Sequence, residues 1–318
     1  MPRISLLCFS LAALLALTPG WLGAQQPTKV LGRIVAAKVL GNVTVTDVRD
    51  PLHPHKLVES GEVTEGQIIN TGDDARVLLV FSNGATVNLA AKSTLSIDEF
   101  LQDPFTQTVK VAELVDEPTT SITKLNLVRG ELMSNVKHLR RDKGSVFSVQ
   151  TPVGAAGIRG TSFQLLYRPL GSAASFVLRM VEGRIALDFG SKSRLVEVEK
   201  DQQVVLDAIP IDASGRIITL PASIKPGELP ASLKATLNSA LQQQLEAVNA
   251  VNFQPLKATA APQQAYPQAG GSTSEGSGSD GTTPTGFSAG AASATQPLSP
   301  VPPAVAPAPR TTPGDGKL

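Results

Sequence analysis

Between Gly154 and Thr161 three glycines, at positions 154, 157 and 160, punctuate a bend that also carries Arg159. Glycine-rich bends cradle phosphates when backbone N–H groups converge and a helix follows. Here no lysine follows Gly160, the spacing is not that of a Walker loop, and the apolar alternation resumes as a strand. Arg159 brings five donors in a planar fork, suited either to an anionic partner or to bracing nearby carbonyls. The run Lys137-His138-Leu139-Arg140-Arg141-Asp142-Lys143 adds a basic turn shortly upstream. Its cations Lys137, His138, Arg140, Arg141 and Lys143 form either a solvated charge run or a patch for an acidic glycan or protein surface. His53 and His55 share the parity of a strand face but lack a third ligand for a metal. Asp73 and Asp74, adjacent in sequence, point opposite ways on a strand, unlike a glycosidase pair. No serine sits in a Gly-x-Ser-x-Gly elbow, and three histidines leave few general bases. The expectation is a non-catalytic chain with no cofactor and no metal.

The elements that position these residues follow from periodicity. Val146, Ser148 and Gln150 alternate against Phe147, Val149 and Thr151, and Pro152 stops the ladder because it has no N–H to give. Further strands are expected at Val30–Val48, Ala75–Phe81 (rich in β-branched and aliphatic residues), Ala85–Leu89, Leu95–Phe100, Val109–Val115, Ile122–Val128, Phe176–Val181, Arg184–Phe189, Leu195–Val198 and Gln203–Leu206. Asn83-Gly84 predicts a type I′ hairpin, and the prolines of Asp50–Lys56 predict an exposed loop. Gly-x-aliphatic steps recur at Gly41, Gly61, Gly130 and Gly183 without a fixed period. Many short strands with glycine turns imply an all-β fold, either an irregular β-helix-like stack or a β-sandwich. Leu229, Leu233, Leu237, Ala240, Leu241, Leu245 and Val248 then fall at steps of three and four, an amphipathic helix. It is expected to cap a sheet edge or the end of the stack, or to dock a partner.

Three pieces of the chain carry a family resemblance. Phe147-x-Val149-x-Thr151-Pro152 with Ile158-Arg159-Gly160-Thr161-x-Phe163 is the first. Gly66-x-x-Ile69-x-Thr71-Gly72 leading to Phe81-Ser82-Asn83-Gly84 is the second, and Val181-Glu182-Gly183-x-Ile185 the third. Together they resemble FecR-type domains over about residues 30 to 206. Those domains lie in the periplasm, in regulators that report the state of an outer-membrane transporter to a sigma factor. The resemblance implies a twisted, solenoid-like β structure. It makes Thr151, Pro152, Gly157, Arg159, Gly160, Thr161 and Phe163 the signature positions, with a possible part in partner binding. Sigma-regulating members also carry a cytoplasmic segment and a membrane span before the domain. Here three residues precede the apolar core, so the expectation is a FecR-like domain without that segment or span.

The ends of the chain set the compartment and the partners. Arg3, the apolar run Ile4–Leu17, Pro19-Gly20 and Ala24 read as a secretory signal peptide over 1–24. As a helix that run is about 21 Å long, short of a bilayer span, so no membrane segment is expected after cleavage. The single cysteine, Cys8, lies within it. Arg3 is the one charge before Lys29, so the remainder of the chain is neutral, with no electrostatic reason to bind nucleic acid. From residue 254 to 318 the composition is Pro, Ala, Gly, Ser and Thr, which predicts a disordered tail. The expected layout is signal peptide 1–24, FecR-like domain 30–206, helical extension 207–253 and tail 254–318. Function is then a protein-binding or scaffolding module of the cell envelope, periplasmic or extracellular, with an envelope or outer-membrane protein as partner. An accessory in transmembrane signalling and a glycan-binding matrix protein are the other readings. Scarce aromatic residues (4%) weigh against the last, because sugar faces stack on rings. Oligomeric state is not legible in the sequence.

Overall fold

The computed structural model describes residues 29–190 and 195–257. The signal-peptide reading, and the tail reading from residue 258 onward, fall outside them. The chain opens with β1 (Val30–Leu31), β2 (Ile34–Leu40), β3 (Val43–Asp47), β4 (Asp50–Lys56) and β5 (Glu62–Val63). β6 (Gln67–Thr71), β7 (Arg76–Phe81), β8 (Thr86–Leu89), β9 (Thr94–Gln102) and β10 (Val109–Lys110) follow. The long β11 (Ser121–Asn135) leads to β12 (Val146–Gln150), β13 (Ala155–Ile158), β14 (Ser162–Leu170) and β15 (Ala173–Glu182). The body ends with β16 (Arg184–Asp188), β17 (Val196–Glu199), β18 (Gln202–Pro210), β19 (Gly227–Glu228), helix α1 (Ala231–Ala247) and β20 (Asn252–Phe253).

Two sheets share one strand. The first runs β4-β3-β6-β9-β11-β12-β13-β16-β17, and β1 also pairs with β9. The second runs β5-β2-β7-β8-β11-β14-β15-β18-β19. The N-terminal part of β11 belongs to the first sheet and its C-terminal part, from Gly130, to the second. Among the described residues no pairing joins the outer strands, so both sheets are open. All ladders are antiparallel except β11–β12. Apart from the reversed end pairs β4-β3 and β5-β2, and β1 beside β9, strand numbers climb along each sheet, as the chain crosses repeatedly between them.

The core lies between the sheets, because the inward alternate residues of both belong to one cluster. Ile34, Leu79, Phe81 and Leu165 come from the second sheet, and Ile69, Phe100, Phe147 and Ile185 from the first. The Phe81 and Phe100 rings meet edge to face at 5.2 Å. β7 is apolar at successive positions because its outer face is covered too: Leu78 and Val80 pack with Val109, Val111, Val248 and Phe253. The chain is thus all-β with one helix.

Four local expectations are corrected. Asp50–Lys56 is a strand, not a loop: as an edge strand, exposed throughout, it tolerates Pro51 and Pro54 where no ladder N–H is required. The Asn83-Gly84 hairpin does not use a type I′ turn. Only Gly84 has positive φ (88°), and its N–H donates to the Phe81 carbonyl at 2.8 Å, giving a type I turn followed by a glycine bulge. Val109–Val115 is a two-residue strand followed by a 3-10 turn at Val111–Glu113. Finally, α1 covers the middle of the second sheet's outer face rather than an edge. Leu237 and Leu241 pack on Met133 and Val181, and Gln244 Nε2 donates to Thr86 Oγ1 at 2.6 Å. Beyond α1, Leu256 bridges to Phe105, so ordered structure continues past residue 254.

Candidate functional site

The bend that carries Arg159 is built by β12, β13 and β14. Thr151 turns the chain from β12 into β13: its Oγ1 donates to the Gly154 carbonyl at 2.9 Å and accepts from the N–H groups of Val153 and Gly154 at 3.2 Å. Pro152 sits exposed at the corner, where its missing donor costs nothing. Phe163, fully buried, anchors β14 in the core. The three glycines do not act alike. Gly157 is an ordinary ladder residue between Ser148 and Ala186, and only Gly160 has positive φ (90°).

Gly160 is where the bend meets the basic turn. A Cβ there would lie 2.9 Å from His138 Cδ2 and 3.0 Å from His138 Cα. From the other side, a Cβ on Gly183 would fall 2.6 Å from the Gly160 carbonyl oxygen. Thr161 and Val136 exchange backbone hydrogen bonds at 3.1 and 2.9 Å, which locks the two segments together. Residues far apart in sequence are therefore held in one place by the absence of side chains.

The basic turn is not a uniform solvated run. Lys137 is half-buried, and burial holds its ammonium below the usual lysine range. Arg140 turns inward, its Nε donating to the Glu117 carbonyl at 3.1 Å and its N–H to Glu117 Oε1 at 2.6 Å. His138 Nδ1 lies 3.4 Å from Asp116. Arg141 and Lys143 are exposed. Arg159 is exposed as well, and among the described residues its guanidinium makes no hydrogen bond, so the bracing reading finds no partner there.

Arg141 and Arg159 line a common groove of about 610 Å³, floored by Gly160 and Gly183 and completed by Arg184, Glu199 and Lys200. Sequence reading missed Arg184 and Lys200. Their nearness to Arg159 arises from the pairing of β13 with β16 and of β16 with β17, which bypasses β14 and β15. It also missed a buried carboxylate. Glu117, with 0% exposure, accepts from the Ser121 hydroxyl at 2.8 Å, the Ser145 hydroxyl and the Arg140 N–H. Asn83 Nδ2 extends this cage to Ser121 and Thr123 at 3.0 and 3.2 Å. His53 and His55 lie exposed on β4, with His53 Nδ1 2.7 Å from Asp50. Among the described residues no three histidine, cysteine or acidic side chains converge as metal ligands, and no helix is long and apolar enough to cross a membrane.

Fold and site together define an all-β domain whose signature bend opens onto a basic surface groove. Residues 67–186 match the family described as FecR protein. The match runs from β6 into β16 and contains the whole signature bend. No curated protein matches the sequence. Two crystal structures of a candidate anti-sigma factor from Parabacteroides distasonis, at 1.65 and 2.50 Å resolution, overlay with a TM-score of 0.36 and 16% identity. Each overlay covers 57% of this chain and 74% or 73% of the other.

Proposed function

We propose that this protein is an exported, non-catalytic FecR-domain module that binds another protein of the cell envelope, in the periplasm or outside the cell. The observation that carries this reading is the FecR match over residues 67–186. The open groove beside the signature bend supports it, since a shallow, charged, solvent-facing surface suits recognition of a partner chain rather than enclosure of a small substrate. The family match also favours a second reading, an accessory role in transmembrane signalling through a separate membrane partner. On either reading Thr151, Gly160, Thr161 and Phe163 hold the bend in shape, while Arg159 faces outward.

The test is site-specific photo-crosslinking in the native cells, from exposed Gln150 on the outer face of the first sheet and from position 159, with mass spectrometry of the adducts. Reproducible adducts with one envelope protein support the module. A transporter or a sigma-regulating membrane protein among them selects the signalling role. Adducts with polysaccharide alone, or none from either position, refute the proposal.

A further inference from the structure

The cations of the groove form a pattern that the fold by itself does not require. Ile158 pairs with Ile185 across β13 and β16, so Arg159 and Arg184, one residue further along, occupy facing positions at the ends of neighbouring strands. Such strands lie about 4.8 Å apart, and like charges directly opposite one another destabilise a sheet. Because Ile158 and Ile185 point into the core, both arginines project from the outer face. Arg141 comes in from the basic turn and Lys200 from the β17–β18 turn, so four separate connections each supply one cation. Elsewhere Lys29, Arg33, Lys124 and Lys234 are paired with Asp103, Glu62, Glu99 and Asp201. Among the described residues the four groove cations have no ion pair. Glu199, facing Arg184 across the ladder, is the one acid lining the groove.

The geometry points to this groove as the docking site for an acidic peptide segment of a partner protein, its carboxylates held by Arg141, Arg159, Arg184 and Lys200. The inference rests on the protein-binding reading and names the chemistry of its partner. Guanidinium forks match carboxylates with two parallel hydrogen bonds, and three of the four cations are arginines. An extended segment laid across the strand ends presents alternate side chains about 6.6 Å apart, within the swing of neighbouring arginines. A flat anionic membrane is disfavoured by Asp188, Glu197 and Glu199, which are exposed on the outer face of the same sheet. The overall charge of +1 gives nucleic acid no long-range attraction.

The test uses the full chain and a fluorescently labelled short peptide with glutamate at alternate positions, read by anisotropy. The same peptide with glutamine, inorganic phosphate and phosphatidylglycerol vesicles are the comparison ligands. The glutamate peptide is expected to bind and to weaken as salt rises, and the glutamine peptide not to bind. The double variant Arg159→Gln/Arg184→Gln is expected to bind about tenfold or more weakly, whereas Arg168→Gln, outside the groove, changes affinity less than about twofold. Glu199→Gln is expected to tighten binding about two- to fivefold, a gain that misfolding does not mimic. Absence of peptide binding at low salt, affinity unchanged in the double variant, or binding of vesicles or phosphate alone overturns the proposal. Envelope adducts from Gln150 that persist in the double variant would leave the module standing and remove the groove from it.

Discussion

Replacing Glu117 by alanine tests whether the buried carboxylate holds the middle of the fold together. In the native chain its two oxygens accept from the Ser121 hydroxyl, the Ser145 hydroxyl and the Arg140 N–H, with no cationic side chain on the carboxylate. Removal leaves three donors in a site closed to water, each worth about 1–3 kcal/mol when unsatisfied. The two hydroxyls can re-aim, and loss of a buried charge returns part of its desolvation cost, so the net effect is about 3–5 kcal/mol of destabilisation. Glu117→Gln keeps one acceptor and offers an amide donor to a hydroxyl that also accepts, and is expected to cost about 1–2 kcal/mol. Urea unfolding followed by circular dichroism reads both, with the midpoint shifting at constant slope. An alanine variant within about 1 kcal/mol of the parent, or a glutamine variant as damaged as alanine, would refute the cage as a source of stability.

Three further outcomes follow from backbone, titration and packing. Gly130→Ala places a Cβ 2.1 Å from Ser93 Oγ and 2.4 Å from Ser93 Cα at a φ of 101°, so thermal unfolding should show a loss of at least about 3 kcal/mol. Gly66→Ala, with positive φ but open space, should cost only about 1–2 kcal/mol. Burial raises the phenol of Tyr167 above its usual value, so its contribution is intact below about pH 10 and is lost as pH rises and the unfolded chain ionises first. Tyr167→Phe should flatten the fall in urea midpoint across that alkaline window; an unchanged slope would exclude Tyr167 as its source. Leu237→Ala and Leu241→Ala should each weaken the docking of α1 by about 2–3 kcal/mol, seen as faster proteolysis near the helix with the strand signal retained.

What was legible in the sequence was whatever repeats at short range. Alternation in Val146–Gln150 marks a strand with one apolar face, and the unbroken aliphatic run Val77–Phe81 marks one buried on both. The heptad-like leucines marked α1, but not the surface it covers, since nothing local says that Met133 and Val181 share an outer face. Composition misled at Asp50–Lys56, where prolines suggest a loop and an edge strand tolerates them. The Glu117 cage was invisible because an acid followed by Pro118 and two threonines looks like exposed loop. Its burial depends on Ser145 arriving from 28 positions away. The groove was half visible: Arg159 and the basic turn stood out, but Arg184 and Lys200 join them only through strand pairings that skip an intervening hairpin.

The shared strand β11 has a consequence for the order in which the fold can form. Strands β8 and β9 find their inner neighbour only in β11, and β12 and β14 begin from its other side. A chain emerging from its N-terminus can therefore zip β2, β3, β6 and β7 into local ladders, yet neither sheet can grow past its midpoint until residue 135 is available. Folding of the two sheets is gated by the same fifteen residues. Once β11 docks, it joins both halves of the ladder in a single event, so the two sheets should gain hydrogen-exchange protection together rather than one after the other.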